Sequence, residues 1–304
     1  MIIYIEPKSL FPPLHSDTIF GAVIYAVNQL YPGVVEDLIE KFRDPETQPP
    51  FLVSSAFPFI KDGDKKAHFF PKPITKPVKS NPDNLKKYNR VKFIHEDIFR
   101  LWASGSLDES SIIKDIENYR VERGFLMDQG LDLNFRMENS TMPHNTINRI
   151  TGASENIFYS TGTIFKNMGL FFMVKTVDKE SENLILSSMN FLRDRGFGGD
   201  VSTGKGQFDY EISQDKLLND GGNHIVSLSR YIPTHDELQI FKDDVWFELG
   251  SKRGRSAEGS LRKKVRFFNE GTTFPSAGKK KYGTIIDSSS EAVEYGLAYT
   301  ADMV

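Results

Sequence analysis

The sequence predicts an α+β protein, and three observations carry that prediction. Apolar runs over residues 1–6, 51–59 and 169–177 read as strands. Residues 16–31 and 181–195 instead set apolar side chains three to four apart, the spacing of one buried helical stripe. Phe208, Tyr210 and Ile212 alternate with polar residues, as a half-buried strand requires. Taken along the chain these elements give the βαββαβ order of a ferredoxin-like domain over residues 1–218.

The first strand is closed by residues 8–13, whose two prolines forbid further ladder pairing. Ser16 or Asp17 is placed to cap the first helix, whose stripe is Ile19, Phe20, Val23, Ile24, Val27, Leu30 and Tyr31; Pro32 and Gly33 end it. Pro58 breaks the second strand. Residues 61–105 lose the pattern to Lys and Pro with scattered aromatics and read as an insertion off the core. Residues 128–160 form a second, polar insertion, too long for a simple turn. In the next helix Leu184, Ile185, Ser188, Met189 and Leu192 share a face, and Gly196 is a natural stop. Residues 219–223 read as a linker. A mostly β second module follows over 223–304, with strands expected at 224–232, 245–249, 261–268, 284–286 and 296–300 and a short helix at 234–242.

Thirty-eight basic and 41 acidic side chains leave a net charge of −3, which excludes a uniformly basic polyanion binder. The charge is segregated, however: residues 61–92 hold ten Lys/Arg against three Asp, and residues 251–281 ten against two Glu. This pattern suits a polyanion on one face and a protein on another. The absence of cysteine removes disulfides, thiolate metal sites and a Cys nucleophile and fits a reducing compartment, with the cytoplasm as default. No apolar run reaches the roughly 18 residues of a membrane span, so a soluble, unexported chain is expected. The six His show no metal-ligand spacing, and no helix-turn-helix, zinc or heptad pattern supports a DNA-binding regulator. Most of the 24 Phe are needed for the core.

The most informative segment is 196–206, with five glycines in eleven positions. Such a loop can turn several amides toward one anion, with Ser202, Thr203 and Lys205 adding donors. Three readings compete. Gly199 to Lys205 has the G-x-x-x-x-G-K spacing of a nucleotide phosphate loop, but Gly206 stands where a Mg²⁺-binding Ser or Thr belongs, and this loop leaves a helix for a strand, the reverse of a Walker loop. A purely structural glycine turn is the second. A cradle for a polymeric phosphate backbone is the third.

The pattern G-x-G-G-x-x-S-x-G-x-G-x-F, set before the last strand of a ferredoxin-like order, resembles the signature of the RAMP superfamily of CRISPR RNA-binding proteins. Within it, Leu14-His15-Ser16-Asp17-Thr18-Ile19-Phe20-Gly21-Ala22, Phe70-Pro71-Lys72-Pro73 and Asn145-x-x-Asn148-Arg149-x-Thr151-Gly152 resemble the subunits that cap the 5′ end of the guide RNA in type III-A effector complexes. The resemblance spans residues 14–208. It implies two ferredoxin-like (RRM-like) modules, with a protruding thumb over 139–160 in the first. It implies a non-catalytic, cofactor-free subunit for antiviral defence that grips the 5′ handle of the crRNA and displaces a base with its thumb. The same subunit would dock a large polymerase-like subunit and begin the filament of backbone RAMP subunits, without DNA or membrane contact of its own.

The candidate RNA-binding residues follow. His15 and Ser16 start a helix whose free amides favour phosphate. Asn145, Asn148 and Arg149 offer donors on the thumb, with Ile147 or Ile150 as a wedge between bases. Gly196, Phe197, Gly198, Gly199, Ser202, Thr203, Gly204, Lys205 and Gly206 form the cradle. Arg253, Arg255 and Arg262 belong to a basic stretch whose glycines let it track RNA. Two alternatives stay open: a metal-independent ribonuclease of the same superfamily with His15 as general base, and a protein-only scaffold whose glycine loop is merely structural.

Overall fold

Ile2, Ile3, Tyr4 and Ile5 are all buried, so the first strand must lie inside a sheet covered on both faces. The computed structural model, which describes residues 1–304 except 64, 132, 200, 219–220, 243, 255–260 and 290–291, places it there. The first half runs β1 (Ile2–Pro7), α1 (Ser16–Leu30), α2 (Val34–Arg43), β2 (Phe51–Val53), β3 (Phe57–Asp62), β4 (Lys65–Pro71), α3 (Pro82–Tyr88), β5 (Phe93–His95), α4 (Glu96–Ala103) and α5 (Glu109–Lys114). It continues with β6 (Tyr119–Glu122), β7 (Phe125–Asp128), β8 (Arg136–Ile147), β9 (Ser154–Lys166), β10 (Met168–Thr176), α6 (Lys179–Arg195) and β11 (Phe208–Ser213). The second half holds β12 (His224–Ser227), α7 (His235–Phe241), β13 (Leu249–Lys252), β14 (Val265–Phe268), β15 (Thr273–Pro275), β16 (Gly283–Ser289), β17 (Ala292–Leu297) and β18 (Thr300–Met303).

The fold is a mixed α+β one around a large sheet of order β11-β1-β10-β3-β4-β5-β7-β6, with β2 on a separate stretch of β10. Period-two alternation splits its residues between two cores. Ile3 and Ile5 face α1 and α6 through Ile19, Phe20, Val23 and Ile185, while Ile2 and Tyr4 pack with Phe57, Phe59 and Phe171 toward α4 and β18. Asp178 caps α6 by accepting the Ser181 N–H, and Gly196 ends it with φ 97°.

Three expectations need correction. Residues 61–105 are inserted between β3 and β10, yet they extend the main sheet through β4 and β5, with Phe69 and Phe70 fully buried. Their lysines hid this, because several have partners on distant elements: Lys61 with Glu6, Lys66 with Glu211, and Lys72 over the Tyr88 ring. Pro58 does not break its strand; the break is at Ser54 to Ala56, and Pro58 pairs with Leu170 beyond the last β3–β4 pair, where one edge needs no donor. Residues 224–303 form, among the described residues, three small sheets (β15-β12-β18, β13-β14, β16-β17) and one helix, not a single four-stranded sheet. This half has a small core of its own around Tyr231, Phe241, Phe268 and Phe274, and it also packs on the first half: Tyr295 stacks on Phe20 at 4.7 Å, and Val226, Tyr299 and Met303 join the core around Tyr4.

A buried ion network fastens the halves. Asp17, in the first turn of α1, pairs with Arg230 at 3.0 Å and with Lys252, which also reaches Glu294. Burial opposes ionisation of Asp17, but Arg230 and Lys252 outweigh it and hold its carboxyl below the usual carboxylate range. A depressed folded-state value stabilises the fold above about pH 4 and loses that contribution as the pH falls through it. Asp17→Asn leaves Arg230 without its carboxylate and Lys252 with Glu294 alone, and should cost about 3 kcal/mol at pH 7. Urea unfolding of both proteins at pH 7 and pH 3 checks this, with the gap narrowing at the lower pH.

Candidate nucleic-acid interface

Residues 8–15 bring the predicted site together. Lys8 donates to Gln207 O at 2.8 Å and Leu10 O accepts the Gly206 N–H at 2.9 Å, tying this segment to the glycine loop. Phe11 exchanges two hydrogen bonds with Thr163 of β9, at 2.9 and 2.8 Å. Leu14 O accepts the Ala56 N–H, and His15 Nδ1 lies 2.8 Å from Glu270 in the second half. Glycine loop, hairpin and second half therefore meet along eight consecutive residues.

The glycine loop divides into a base and a tip. Gly196, Phe197 and Gly206 are buried, while Gly198, Gly199, Ser202, Thr203 and Gly204 are exposed. Four amides of the expected cradle are satisfied internally: Gly196 by Leu192 O, Phe197 by Gly206 O, Gly204 by Val201 O and Gly206 by Leu10 O. The Phe197 ring sits in the core between Phe11 and Phe208. This corrects the expectation that all nine candidates face a ligand; Gly196, Phe197 and Gly206 build the bend. Gly198, at φ 87°, lies against Pro12, so the exposed tip borders the start of the 12–15 segment.

The hairpin β8–β9 is the expected protrusion, paired in register from Arg136↔Lys166 to Ile147↔Ser154 with a bulge near its end. Its tip is organised by Asn148, whose Oδ1 accepts the Ile150 and Thr151 N–H groups and whose Nδ2 donates to Glu155 at 2.6 Å. Asn148 thus serves the turn itself. Asn145 is exposed, 3.5 Å from Ser154 Oγ, and Arg149 is exposed beside Ile150, which is 96% accessible. Ile157, Tyr159 and Ile147 are also more than half exposed, so the distal hairpin presents apolar groups that its own two strands cannot bury.

The helix start is not a phosphate site. Ser16 is fully buried: its N–H donates to Ser55 Oγ, and its own Oγ accepts the Arg230 N–H at 3.0 Å. His15 occupies the N-cap position in place of Ser16 or Asp17. Burial opposes ionisation of Glu270, but hydrogen bonds from His15 and Ser55 hold its carboxyl below the usual range. An ionised carboxylate only accepts, so the His15 proton sits on Nδ1 and its Nε2 is left for other partners.

In the C-terminal basic stretch Arg262 lies 3.7 Å from Glu294 and Arg253 Nε donates to Arg262 O, so Arg262 serves the ion network rather than a free surface. Arg253, Lys263, Lys264 and Arg266 are exposed; Arg255 lies outside the described residues. Sequence reasoning missed Phe11, Pro12, Thr163 and Glu270, whose partners lie far along the chain and leave no local pattern.

The base and tip of the loop should respond differently to a methyl group. A Cβ at Gly206, where φ is 76°, would lie 2.0 Å from Phe197 O, whereas one at Gly199 meets nothing within 4 Å. Gly206→Ala should cost about 3 kcal/mol or more and Gly199→Ala within about 0.5 kcal/mol, read from denaturant midpoints.

No protein-family model matches the sequence. A CRISPR-system Csm4 protein of Thermococcus onnurineus (strain NA1) is 25% identical over 300 residues, covering 96% of this chain and 93% of that protein. Among solved structures, a chain of the Csm3–Csm4 subcomplex of a type III-A CRISPR–Cas interference complex superposes with a TM-score of 0.71 at 16% identity, covering 100% of this chain and 99% of the other. A chain of a Csm1–Csm4 cassette bound to pppApA gives 0.61 at 19% identity, covering 100% and 97%. The likeness to Csm4 proteins thus runs along the whole length, in sequence to the Thermococcus onnurineus protein and in fold to the solved chains.

Proposed function

We propose that the chain is a non-catalytic subunit of a type III-A CRISPR effector complex that binds the 5′ handle of the crRNA. It would bridge a large polymerase-like subunit to the backbone subunits. The observation that carries the reading is the convergence, along residues 8–15, of the exposed loop tip and the root of a hairpin ending in Arg149 and Ile150. A strand laid across this line meets the exposed loop tip and the hairpin root, and Arg149 and Ile150 stand at the far end of the hairpin, beyond Ile147, where a strand that follows the hairpin outward would reach a guanidinium and an apolar wedge. The bridging role draws on the Csm4 relative and on the pairing of such chains with Csm3 and Csm1 in the solved complexes. The strand order β11-β1-β10-β3, with α1 and α6 on one face, supports a ferredoxin-like first module.

Binding of handle-containing RNA to the full chain should weaken about linearly in log affinity against log salt. Arg149→Ala should weaken it further and reduce the slope by roughly 0.7, one single-strand phosphate contact. Fluorescence anisotropy without metal measures both. No retention at low salt would overturn the RNA reading in favour of a protein-only scaffold, and metal-free product lost on His15→Ala would favour a ribonuclease.

A further inference from the structure

Among the described residues β13 and β14 form a two-stranded sheet that no third strand joins. Its ladder shows which backbone groups are free. The Asn269 N–H donates to Glu248 O at 2.9 Å, one step before Leu249↔Phe268, the first pair of the sheet. Antiparallel ladders alternate hydrogen-bonded and non-hydrogen-bonded pairs, so Gly250 and Lys252 bond to β14 while Leu249 and Ser251 turn their N–H and C=O groups to the outer edge. Phe268, opposite Leu249, obeys the same alternation: it exchanges two hydrogen bonds with Tyr231 on the far side of β14, at 2.8 and 3.0 Å. The outer edge of β13 therefore offers donors and acceptors in turn.

Edge strands are usually guarded by a proline, a bulge or a charged side chain. None of these guards β13. Its register with β14 is continuous, it holds no proline, and its one charged side chain, Lys252, is taken up by Asp17 and Glu294. Side chains two apart share a face, which sets Leu249 and Ser251 with their cross-strand partners Phe268 and Arg266. One end of this face is apolar: Phe247 stacks on Phe268 at 3.9 Å yet is 41% exposed, and Leu249 is 57% exposed. The other end is cationic, with Arg266 opposite Ser251, and Arg253 and Lys264 next beyond the paired residues. All three cations are exposed, and none is ion-paired among the described residues.

An RNA strand fits this edge poorly, because the outward C=O groups of Leu249 and Ser251 only accept and so repel phosphate. An extended polypeptide meets both kinds of group, since its own N–H and C=O alternate to match. Ser251 is small, so Arg266 can extend over it toward an added strand two strand spacings, or about 10 Å, away. We propose that the β13 edge docks an extended acidic segment of a partner protein as a third strand, with an apolar side chain beside Phe247 and Leu249 and acidic side chains toward Arg253, Lys264 and Arg266. This docking does not depend on the RNA-binding reading.

The test uses the full chain and fluorescein-labelled ten-residue peptides that alternate Thr with Glu and carry one Leu near an end, read by anisotropy. The acidic peptide should bind with a dissociation constant in the micromolar range, and the same peptide with Lys for Glu at least tenfold more weakly. N-methylation of every second backbone nitrogen should weaken binding tenfold or more in one phase and little in the other, because only one edge of an added strand faces β13. Ser251→Pro removes one outward N–H and should lose about tenfold. Arg266→Glu should lose as much and gain affinity for the Lys peptide; circular dichroism checks that both variants fold. No binding of the acidic peptide at millimolar concentration, equal effects of the two methylation phases, or wild-type affinity in both variants would overturn the proposal. Displacement of the peptide by handle RNA would give the face to RNA and overturn it. Self-association of the chain in sedimentation, lost in Ser251→Pro, would assign the edge to a second copy and overturn it too.

Discussion

Everything the candidate interface can do depends on the segment from Lys8 to His15, which bends at Ser9 and Leu10. Lys8 and Leu10 hold the glycine loop, Phe11 holds the hairpin, Leu14 holds the start of β3 and His15 holds Glu270. Eight residues of extended chain span at most about 28 Å, so covalent geometry sets these surfaces within a few nucleotides of one another. Pro12 and Pro13 have no N–H and end the run of backbone donors there. The spacing of the surfaces is thus written in the backbone, and movement of any one of them must break hydrogen bonds made by its neighbours in sequence.

Charge follows a different logic from the one composition suggests. The two basic segments look like polyanion surfaces when read along the chain. In the folded chain Lys61, Lys66 and Lys87 have partners on Glu6, Glu211 and Glu117, while Lys252 and Arg262 turn inward to Asp17 and Glu294. Arg149, Arg253, Lys263, Lys264 and Arg266 stay exposed. The RNA binding proposed for a chain of net charge −3 would have to rely on placement of a few donors and on base contacts more than on a positive face.

What was legible in the sequence was whatever depends on neighbours a few residues away. The β1 run, the helical stripes of α1 and α6, the Gly196 stop and the short helix near 234–242 are local patterns, and they stand at or near their expected places. The glycine loop was legible as a loop for the same reason. The main-sheet extension through β4 and β5 was not, because its strands are short and its lysines find partners on other elements. Ser16 misled for a related cause: a Ser at a helix start reads as a cap or an anion donor, and only Ser55 and Arg230, brought in by folding, use up its hydrogen bonds. Glu270 stands 255 residues from His15, a separation over which periodicity carries no information.

The glycine loop shows why a structural and a binding interpretation of one motif need not compete. Gly206 at φ 76° leaves no room for a side chain beside Phe197 O, and the buried Phe197 ring anchors the bend to Phe11 and Phe208. Those contacts consume the amides of Gly196, Phe197, Gly204 and Gly206, which therefore cannot reach an oligonucleotide. Yet a tip of small residues presented to solvent holds its shape only if its two ends are fixed, because ordering each free glycine costs about 1–2 kcal/mol of backbone entropy. The internal hydrogen bonds at the base meet that cost in folding, before any ligand arrives. The ligand role proposed for the tip at Gly198 and Gly199 would therefore still require the structural base.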